Sequence, residues 1–350
     1  MSAAPAEPTP RPTPQPESKQ GFGSTWKVML RIAVAVALLA FLATKIRNPD
    51  DLVPNEHHAL TAALLALALL TAFVGIVLSA WRWQRVLLLF DARVPLRTLS
   101  AHYFAGQFVS SALPSTIGGD VLRVSRASTT VDSPTVSFAS VVLERLTGFV
   151  ALPLLVFIGF ALEPSLLNEE HAWIALLVAG IALGILSLVL FLAGHPRMAG
   201  RFAGHENWTR FIGAVHLGVA RLRREPRQIF PILATAMTYQ ISVVLSFGLI
   251  FRALDLPVPV AAVVAFVPAV AMLQVLPLTF AGLGVREGAL VLFLHALGVS
   301  NTQAFAAGVL WYLTLLVASL PGAPAFAVGH RGRATDERVP EKRVSEDRRS

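Results

Sequence analysis

Cysteine is absent from the 350-residue sequence, and charged side chains are scarce, at 14% of residues. The lack of cysteine excludes disulfides, thiolate metal sites and cysteine nucleophiles. Hydrophobic residues make up 55% of the chain, and several uncharged runs are longer than twenty residues. This composition is typical of a polytopic helical membrane protein, so we predict an all-α fold in a membrane rather than a globular domain.

Motifs that bind nucleotides or metals are also absent. The glycine-containing turns follow no predicted strand and lead into no Gly-Lys-Ser/Thr sequence, which excludes a dinucleotide fingerprint and a P-loop. His102 and His295 have no partner at metal-ligand spacing, and Ser110, Ser111 and Ser115 have no nearby base that would make a nucleophile. We therefore predict no catalytic residue, metal or cofactor. The net charge of +8 comes from basic loops between apolar segments, so it requires no nucleic-acid partner.

Six apolar segments are long enough to cross a membrane as helices. They comprise residues 26–44, 59–81, 136–162, 172–193, 229–251 and 302–328. The second segment ends in Trp81-Arg82-Trp83, an aromatic and basic pattern typical of a membrane interface. Residues 1–25 are rich in proline and residues 330–350 are rich in charge, so both are predicted to be disordered cytoplasmic tails. A single transmembrane domain is expected at 26–329.

One short pattern, Leu-Pro-x-Thr-x-x-Gly-x-x-x-Arg, occurs twice, at residues 113–123 and 276–286. In each copy a helix-breaking proline and permissive glycines predict a helix that stops, turns and restarts. Within a membrane, such irregular backbone survives only where protein buries it or where it lines a watery cavity. The residues expected to form the breaks are Pro114, Gly118 and Gly119 in the first copy and Pro277, Gly282 and Gly284 in the second. A chance match in a chain rich in Leu and Gly is the alternative.

The distribution of basic residues decides whether the first broken segment crosses the membrane. If residues 98–119 crossed, the strongly basic segment 194–228 would lie outside, against the positive-inside rule. If residues 98–119 and 257–297 form re-entrant hairpins, most Lys and Arg residues lie inside with both termini. The chain then has about six full spans plus two re-entrant hairpins, and its halves, about 26–162 and 172–328, have inverted topology. The cytoplasmic linker 194–228 suits either an amphipathic helix on an anionic leaflet or a solvated segment.

Few charged residues lie within the apolar segments: four flank the two breaks, and the other two lie within the third span, residues 136–162. The acidic ones are Asp120, Glu144 and Glu287, and the basic ones are Arg123, Arg145 and Arg286. An unpaired charge at the bilayer centre costs about 2.5–3.5 kcal/mol on insertion scales, so these groups must be paired, hydrated or bound to a charged ligand. Mutual pairing as a structural scaffold is one interpretation. The other is that the arginines bind a phosphate while the carboxylates hold them, accept an amino group or exchange protons.

Two threonines complete the predicted site. Thr116 and Thr279 occupy the same offset in the two copies and are expected to satisfy backbone groups freed at the breaks. With the three arginines they form the predicted headgroup-binding set. Glu144 is expected about 15 Å along its helix from the inner end, and Arg145 points about 100° away from it. Arg123 or Arg286 is therefore the expected partner of Glu144.

Three sequence blocks together resemble a known family. They are residues 113–123, Leu-Glu-Arg-Leu-Thr-Gly at 143–148, and Pro-Leu-Thr-Phe-Ala-Gly-Leu-Gly-Val-Arg-Glu-Gly at 277–288. These blocks are similar to the signature blocks of lysylphosphatidylglycerol synthase transmembrane-region proteins, also called flippase-like domain proteins, and Trp81-Arg82-Trp83 fits a weaker Arg-Trp block.

The resemblance implies a multi-pass protein of the plasma (inner) membrane. The family that the sequence resembles includes the related domain of multiple peptide resistance factors, and this domain is proposed to move aminoacylated phosphatidylglycerol between leaflets. Those longer proteins also carry a soluble aminoacyltransferase domain, which the 350 residues do not contain, so synthesis of the lipid is not expected.

These observations predict a lipid translocase that binds a phosphate-bearing headgroup, and not an enzyme. Its partners would be membrane lipids, which the resemblance extends to anionic, aminoacylated or isoprenoid-linked ones. The alternative is a non-transporting membrane subunit that presents lipid to a separate lipid synthase or glycosyltransferase. An intramembrane enzyme is a third interpretation, but no nucleophile or metal set supports it. A homo-oligomer is compatible with the sequence.

Overall fold

The structure, a computed structural model, describes residues 58–112, 118–194, 206–275 and 284–325. Within these ranges the chain forms ten α-helices and no β-strand, which confirms the predicted all-α fold. The helices are α1 (His58–Leu88), α2 (Leu96–Ala112), α3 (Gly118–Thr130), α4 (Pro134–Leu162), α5 (Ala172–Gly194), α6 (Glu206–Arg224), α7 (Ile229–Ala253), α8 (Val260–Gln274), α9 (Val285–His295) and α10 (Asn301–Ser319).

Five of these helices, α1, α4, α5, α7 and α10, are long and apolar enough to cross a membrane. They correspond to five of the six predicted spans, and the remaining one, residues 26–44, lies outside the described residues. Helix α5 carries no charged residue and leaves Leu177, Ile181 and Leu188 about half exposed. Apolar surface of this kind is stable against lipid tails, so the helices form a polytopic membrane protein.

Local sequence signals set the starts of two span helices. Before α4, the Ser133 hydroxyl accepts a hydrogen bond from the Val136 N–H at 3.3 Å, and Pro134 occupies the first turn, where an N–H would have no helical partner. Before α10, Ser300 and Gln303 form a reciprocal capping box. These caps determine where each helix begins, and hence which of its residues face the neighbouring helices.

The first broken segment forms an antiparallel pair of helices, α2 and α3, which we call the first helix pair. A Cβ atom added to Gly106 in α2 would lie 2.9 Å from the Gly119 carbonyl oxygen and 2.8 Å from Cγ of Arg123 in α3. The absence of a side chain at Gly106 therefore allows the two helices to approach closely. Farther from the break, His102 Nε2 lies 3.4 Å from Thr130 Oγ1, as the antiparallel arrangement requires.

The second broken segment forms a similar arrangement, α8 and α9, which we call the second helix pair. The Phe266 and Phe293 rings stack with their centroids 5.0 Å apart, so the two helices are in direct contact. Gly284, immediately before α9, has a φ of 85°, a left-handed conformation that favours glycine. The connecting residues 113–117 and 276–283 lie outside the described residues.

In each helix pair the end next to the break is called the closed end, and the end away from the break is called the open end. The open ends of the two helix pairs lie towards opposite faces of the molecule. Ser137 Oγ, near the start of α4, donates a hydrogen bond to the Val124 carbonyl in α3 at 2.8 Å, so the open end of the first helix pair lies beside the beginning of α4. Gly159, near the end of α4, packs directly against Ala265 in the first turns of α8. These two contacts are separated by about 33 Å along α4, so the closed ends of both pairs point into the molecule.

Matching contacts relate the two halves of the chain. Helix α1 packs against α7, the corresponding span of the second half, and there Ser246 Oγ donates a hydrogen bond to the Ala68 carbonyl at 2.8 Å. Helix α4 packs against α8, and α10 likewise packs against α2, where the Tyr312 hydroxyl donates to the Ser111 carbonyl at 2.9 Å. Contacts that pair equivalent helices in this way are the pattern expected of inverted repeats.

The basic linker between the halves contains helix α6, whose apolar side contacts protein. Ile212 and Val215 are buried. Val215 belongs to an apolar cluster that includes residues from α1, α4 and α5, and Phe211 packs against that cluster. The sequence-based interpretations of this linker, a helix on a leaflet or a solvated segment, stay predictions, but protein covers the apolar side of α6. The physical reason is that α4, with 29 residues, is longer than a bilayer requires, so its first turns offer an apolar surface that α6 covers.

Cysteine labelling tests the arrangement of the first helix pair, because the chain contains no cysteine. We expect Arg93→Cys, Thr129→Cys and Arg210→Cys, all at exposed positions, to react with an impermeant maleimide from one side of the membrane, and Asn168→Cys from the other. Arg93 and Thr129 flank the first helix pair, and they share a side only if the pair enters and leaves the membrane there. Labelling of Thr129→Cys from the same side as Asn168→Cys would show that the pair crosses instead.

Candidate functional site

A buried carboxylate, Glu144 in α4, lies at the centre of a cluster of charged side chains. It has no exposed surface. One of its oxygens accepts a hydrogen bond from Arg82 in α1, and the other accepts one from Nη2 of Arg123 in α3 at 3.1 Å. An isolated buried carboxylate is costly, and these charge-assisted hydrogen bonds offset that cost. The ion pairs therefore join three helices.

A second carboxylate, Asp120, extends the cluster at the first turn of α3. It accepts a hydrogen bond from Nη1 of Arg123 at 3.2 Å and pairs with Nη2 of Arg145 at 2.7 Å. Arg145 follows Glu144 in sequence but reaches a different carboxylate, because adjacent residues project about 100° apart around a helix. We call Arg82, Asp120, Arg123, Glu144 and Arg145 the charged cluster. Its three arginines and two carboxylates leave one positive charge in excess.

Aromatic rings hold Arg123 in a defined orientation. Its guanidinium carbon lies 4.0 Å from the Tyr103 ring centroid and 4.5 Å from the Trp83 ring centroid. Trp83 is itself oriented, because its Nε1–H donates to Ser140 Oγ at 2.9 Å. Cation–π contacts are strongest where water is excluded, and Arg123 is only 2% exposed. Two carboxylates and two rings together position this guanidinium.

Arg82 retains more hydrogen-bonding capacity than Arg123, of which only Nε lacks a hydrogen-bond partner among the described residues. Its Nη2 group donates to Glu144, but its Nε and Nη1 have no hydrogen-bond partner within the described part of the chain. The side chain is only 5% exposed, so bulk water does not replace the missing partners. Ser79 Oγ, one helical turn earlier in α1, is likewise buried without such a partner. Buried donors without partners are rare and costly in native proteins, so this pair of residues points to a ligand.

A cavity of about 280 Å³ lies beside these groups, close to the lower end of the range for small-molecule sites. Its polar lining residues are Ser79, Arg82, Tyr103, Gln107, Arg145, Tyr239, Gln240, Ser242 and Gln274. Its apolar lining residues are Ala72, Ile76, Phe149, Leu152, Val243, Phe247, Ala271, Val275, Trp311 and Leu315. The cavity is therefore amphipathic.

The arginines lie towards one end of the cavity, and apolar side chains line it farther away. Arg82 and the Tyr239 ring, 5.0 Å apart, mark the charged end. Leu152 in α4 and Phe247 in α7 line the cavity about two helical turns farther along their helices. A cavity with charged side chains at one end and apolar side chains farther along suits a ligand with a polar headgroup and an apolar chain.

Both helix pairs contribute to the cavity. Gln107 lies in the second half of α2, and Gln274 is the last residue of α8, each before one of the predicted breaks. The cavity therefore lies where the closed ends of the two helix pairs approach each other. That this cavity is the binding site expected from the sequence stays a prediction.

Arg286 and Glu287 form a separate buried pair at the start of α9. Arg286 Nε donates to one Glu287 oxygen at 3.0 Å, and the Gly284 N–H donates to the other at 2.6 Å. The Arg286 guanidinium also lies 5.6 Å from the Tyr312 ring centroid. Neither member of the pair is among the described residues that line the cavity. Through Glu287, which accepts a hydrogen bond from the Gly284 N–H, the pair caps the N-terminus of α9.

The structure brings four of the predicted site residues together and separates others from them. Asp120, Arg123, Glu144 and Arg145 meet in the charged cluster, and of the two expected partners of Glu144 it is Arg123 that contacts it. Arg286 lies apart, so its role in headgroup binding stays a prediction. Gly119 packs against α2, and Gly118 begins α3. The predicted residues that lie outside the described ranges are Pro114, Thr116, Pro277, Thr279 and Gly282.

The sequence does not predict Arg82 as a site residue, because its neighbours Trp81 and Trp83 suggest a membrane interface. In the structure Arg82 and Trp83 are buried, since α1 continues to Leu88 and other helices pack around its last turns. The sequence of α1 nevertheless contains a pattern that indicates a role for Arg82 in the site. The residues of α1 that line the cavity recur at helical spacing and end in an arginine, and they are Ala72, Gly75, Ile76, Ser79 and Arg82.

Comparison with known protein families agrees with the blocks noted in the sequence. Residues 28–322 match the family model described as the lysylphosphatidylglycerol synthase TM region, and the match includes all ten helices. None of the curated proteins compared with the chain matches it.

Glu144→Gln tests whether the charged cluster stabilises the fold. Removing one partner of a buried ion pair leaves an uncompensated charge and typically costs about 3–5 kcal/mol. We expect Glu144→Gln to lower the thermal unfolding midpoint in detergent far more than Glu170→Gln, which changes an exposed carboxylate in the loop before α5. Equal midpoints for the two variants would show that Glu144 does not hold the helices together.

Proposed function

The chain belongs to the lysylphosphatidylglycerol synthase transmembrane-region family, and we propose that it is a lipid translocase that binds a phosphate-bearing headgroup in the cavity. In this proposal the phosphate lies beside Arg82 and Arg145 at the charged end. The apolar part of the lipid extends towards Leu152 and Phe247. The distribution of lining residues supports this orientation of the lipid.

The Arg82 nitrogens that lack a hydrogen-bond partner among the described residues support the proposal most directly. Two nitrogens of a buried guanidinium have no hydrogen-bond partner within the described residues, and they lie beside a cavity. Phosphate oxygens are strong acceptors with the charge and geometry that a guanidinium prefers. A bound phosphate would therefore satisfy these donors in a region where water is scarce.

Arg145 supplies a second cationic group. Its side chain is 51% exposed and lines the cavity. Its Nη2 forms an ion pair with Asp120 Oδ2 at 2.7 Å. The carboxylates of the charged cluster thus orient the arginines without neutralising all of them. A headgroup with one negative charge would balance the excess positive charge of the cluster.

Translocation also requires access to the cavity from each side of the membrane. The two helix pairs open towards opposite faces, and both contribute lining residues. In this proposal they are re-entrant hairpins of a plasma-membrane protein with cytoplasmic termini, and motion of one pair against the other exposes the charged end alternately. The sequence contains no ATP-binding motif, so a lipid gradient, protons or a partner protein would supply the driving force.

Arg82→Gln tests the proposed headgroup site. The change removes one positive charge and one of the two arginine partners of Glu144, so we expect a lower unfolding midpoint but, because Arg123 still pairs with Glu144, folded protein. We expect it to move fluorescent phosphatidylglycerol between the leaflets of reconstituted vesicles at least about tenfold more slowly than the wild type, given the strength of hydrogen bonds to charged groups. Arg85→Gln is the matched control, because Arg85 lies one turn farther along α1 and is not among the described residues that line the cavity. Wild-type transport by Arg82→Gln would contradict the proposal.

Binding measured in parallel separates transport from lipid presentation. If the wild type binds phosphatidylglycerol through Arg82 but does not accelerate its movement between leaflets, the protein is a non-transporting subunit. It would then present lipid to a separate synthase or glycosyltransferase. Loss of binding and of transport together in Arg82→Gln is the result that we expect.

A further inference from the structure

Gln240 in α7 is a buried polar residue that lies outside the charged cluster. It is 7% exposed and lines the cavity. Its side-chain amide forms no hydrogen bond with another described residue. The other two glutamines of the cavity differ in this respect. Gln107 Nε2 donates to Ser111 Oγ at 3.3 Å. Gln274 Nε2 donates to the Val270 carbonyl at 3.4 Å. Buried amides are normally satisfied, so Gln240 has hydrogen-bonding capacity for a ligand.

Ser79 in α1 is a second buried polar residue of the cavity without a partner. Helical serines and threonines commonly donate to a carbonyl of the preceding turn. In α7, Thr235 Oγ1 donates to the Ile232 carbonyl at 2.8 Å, and Ser242 Oγ donates to the Tyr239 carbonyl at 2.7 Å. Ser79 is 1% exposed, and its hydroxyl has no hydrogen-bond partner among the described residues. Its hydroxyl is therefore available to a ligand in the cavity.

The packing of α1 against α7 brings these two side chains to the same part of the cavity. A Cβ atom at Gly75 would lie 2.8 Å from Ser242 Oγ, and the Arg82 guanidinium lies 5.0 Å from the Tyr239 ring centroid. The two helices are thus antiparallel, and Ser79 lies between these two contacts along α1. Ser79 is therefore beside the turn of α7 that contains the unpartnered amide.

The amide also lies close to the proposed phosphate position. A Cβ atom at Gly148 would lie 3.2 Å from Arg82 Nη1 and 4.0 Å from Gln240 Nε2, so these two nitrogens are at most about 7 Å apart. Because Gly148 has no side chain, the space between them stays open. A phosphate bound to Arg82 would place its headgroup substituent within reach of Gln240.

The hydrogen-bonding chemistry of these two groups limits what that substituent can be. A glutamine amide offers one carbonyl acceptor and an NH2 donor, and a serine hydroxyl both donates and accepts. The oxygens of an ionised phosphodiester only accept, so a phosphate alone cannot satisfy the Gln240 carbonyl. A hydroxyl group donates and accepts, and hydroxyls on adjacent carbons can bind the oxygen and the nitrogen of one amide together.

From this arrangement we propose that Gln240 and Ser79 form a hydroxyl-binding subsite beside Arg82, and that the lipid headgroup is a polyol joined to the phosphate. Glycerol, inositol and sugars belong to this chemical class. The inference rests on the proposed function and adds to it the group attached to the phosphate. Both residues lie outside the sequence blocks that carry the family resemblance, so that resemblance does not account for them.

The affinity of the wild type for lipids of equal charge tests the proposal. Fluorescent phosphatidylethanol, phosphatidylglycerol and phosphatidylinositol with identical chains are titrated into the protein in phosphatidylcholine nanodiscs. All three are singly charged phosphodiesters, but phosphatidylethanol has no hydroxyl on its headgroup. We expect one or both polyol lipids to bind at least about tenfold more tightly than phosphatidylethanol, because each adds several hydrogen bonds. Equal, Arg82-dependent affinities would overturn the subsite and leave the proposed function intact. Absence of any Arg82-dependent binding would overturn both.

Gln240→Met tests the subsite by removing the amide at similar side-chain volume. We expect the affinity for the preferred polyol lipid to fall to that for phosphatidylethanol, a loss of at least about tenfold, with the phosphatidylethanol affinity unchanged. Gln228→Met, before the start of α7 and not among the described residues that line the cavity, is the matched control. An equal loss of affinity for all three lipids in Gln240→Met would show a general packing role and overturn the proposal.

Ser79→Ala is the second variant, and it keeps the test decisive if Gln240→Met does not fold. We expect it to reduce the preference for the polyol lipid over phosphatidylethanol by at least about threefold. Ser128→Ala is its control, because the Ser128 hydroxyl donates within α3 to the Ser125 carbonyl at 2.8 Å. An unchanged preference in folded Ser79→Ala would overturn the proposed role of this hydroxyl.

Glycerol 3-phosphate distinguishes a lipid from a soluble polyol phosphate. It presents a phosphate and hydroxyls without the apolar chains, which the far end of the cavity is suited to contact. We expect it to displace the bound polyol lipid only at concentrations at least about a hundredfold higher, because it buries no methylene chain. Displacement at concentrations equal to that of the lipid would overturn the assignment of the subsite to a lipid headgroup.

Discussion

The bridge from Arg82 through Glu144 to Arg123 is the interaction on which the rest of the structure depends. It connects α1, α4 and α3 in a region that side chains bury almost completely. In a membrane, the hydrophobic effect does not drive helices together, so close packing and polar contacts stabilise their association. The bridge in turn requires α3 to lie close against α2, and Gly106 allows that approach.

The same bridge determines the charge of the cavity. Glu144 uses both of its oxygens on Arg82 and Arg123, and Asp120 is shared between Arg123 and Arg145, so the arginines exceed the carboxylates by one. An uncompensated intramembrane charge must be hydrated or bound to a ligand of opposite sign. The contacts that stabilise the helices therefore also leave an excess positive charge beside the cavity, on which the proposal of an anionic headgroup rests.

Local features of the sequence are sufficient to predict much of the fold. The five described spans follow from length and hydropathy, because a helix must offer about 20 apolar residues to cross a bilayer. The start of α4 follows from Ser133 and Pro134, which act within one turn. The packing of α6 could not be predicted, because an amphipathic pattern is the same whether its apolar side contacts lipid or protein. Here α4 and α5 cover that side.

The sequence by itself determined the class of protein, the five described spans, the family and the set of charged residues within the apolar segments. These properties depend on composition or on short segments, and no distant residue can change them. Only the tertiary structure decided how many donors each arginine retains: among the described residues, two nitrogens of Arg82 and one of Arg123 have no hydrogen-bond partner. Arg82 and Arg123 both reach Glu144, which lies 62 and 21 residues away from them along the chain. Whether a buried arginine is a scaffold or a ligand-binding group depends on how many acceptors the neighbouring helices bring to it, and packing between distant helices sets that number.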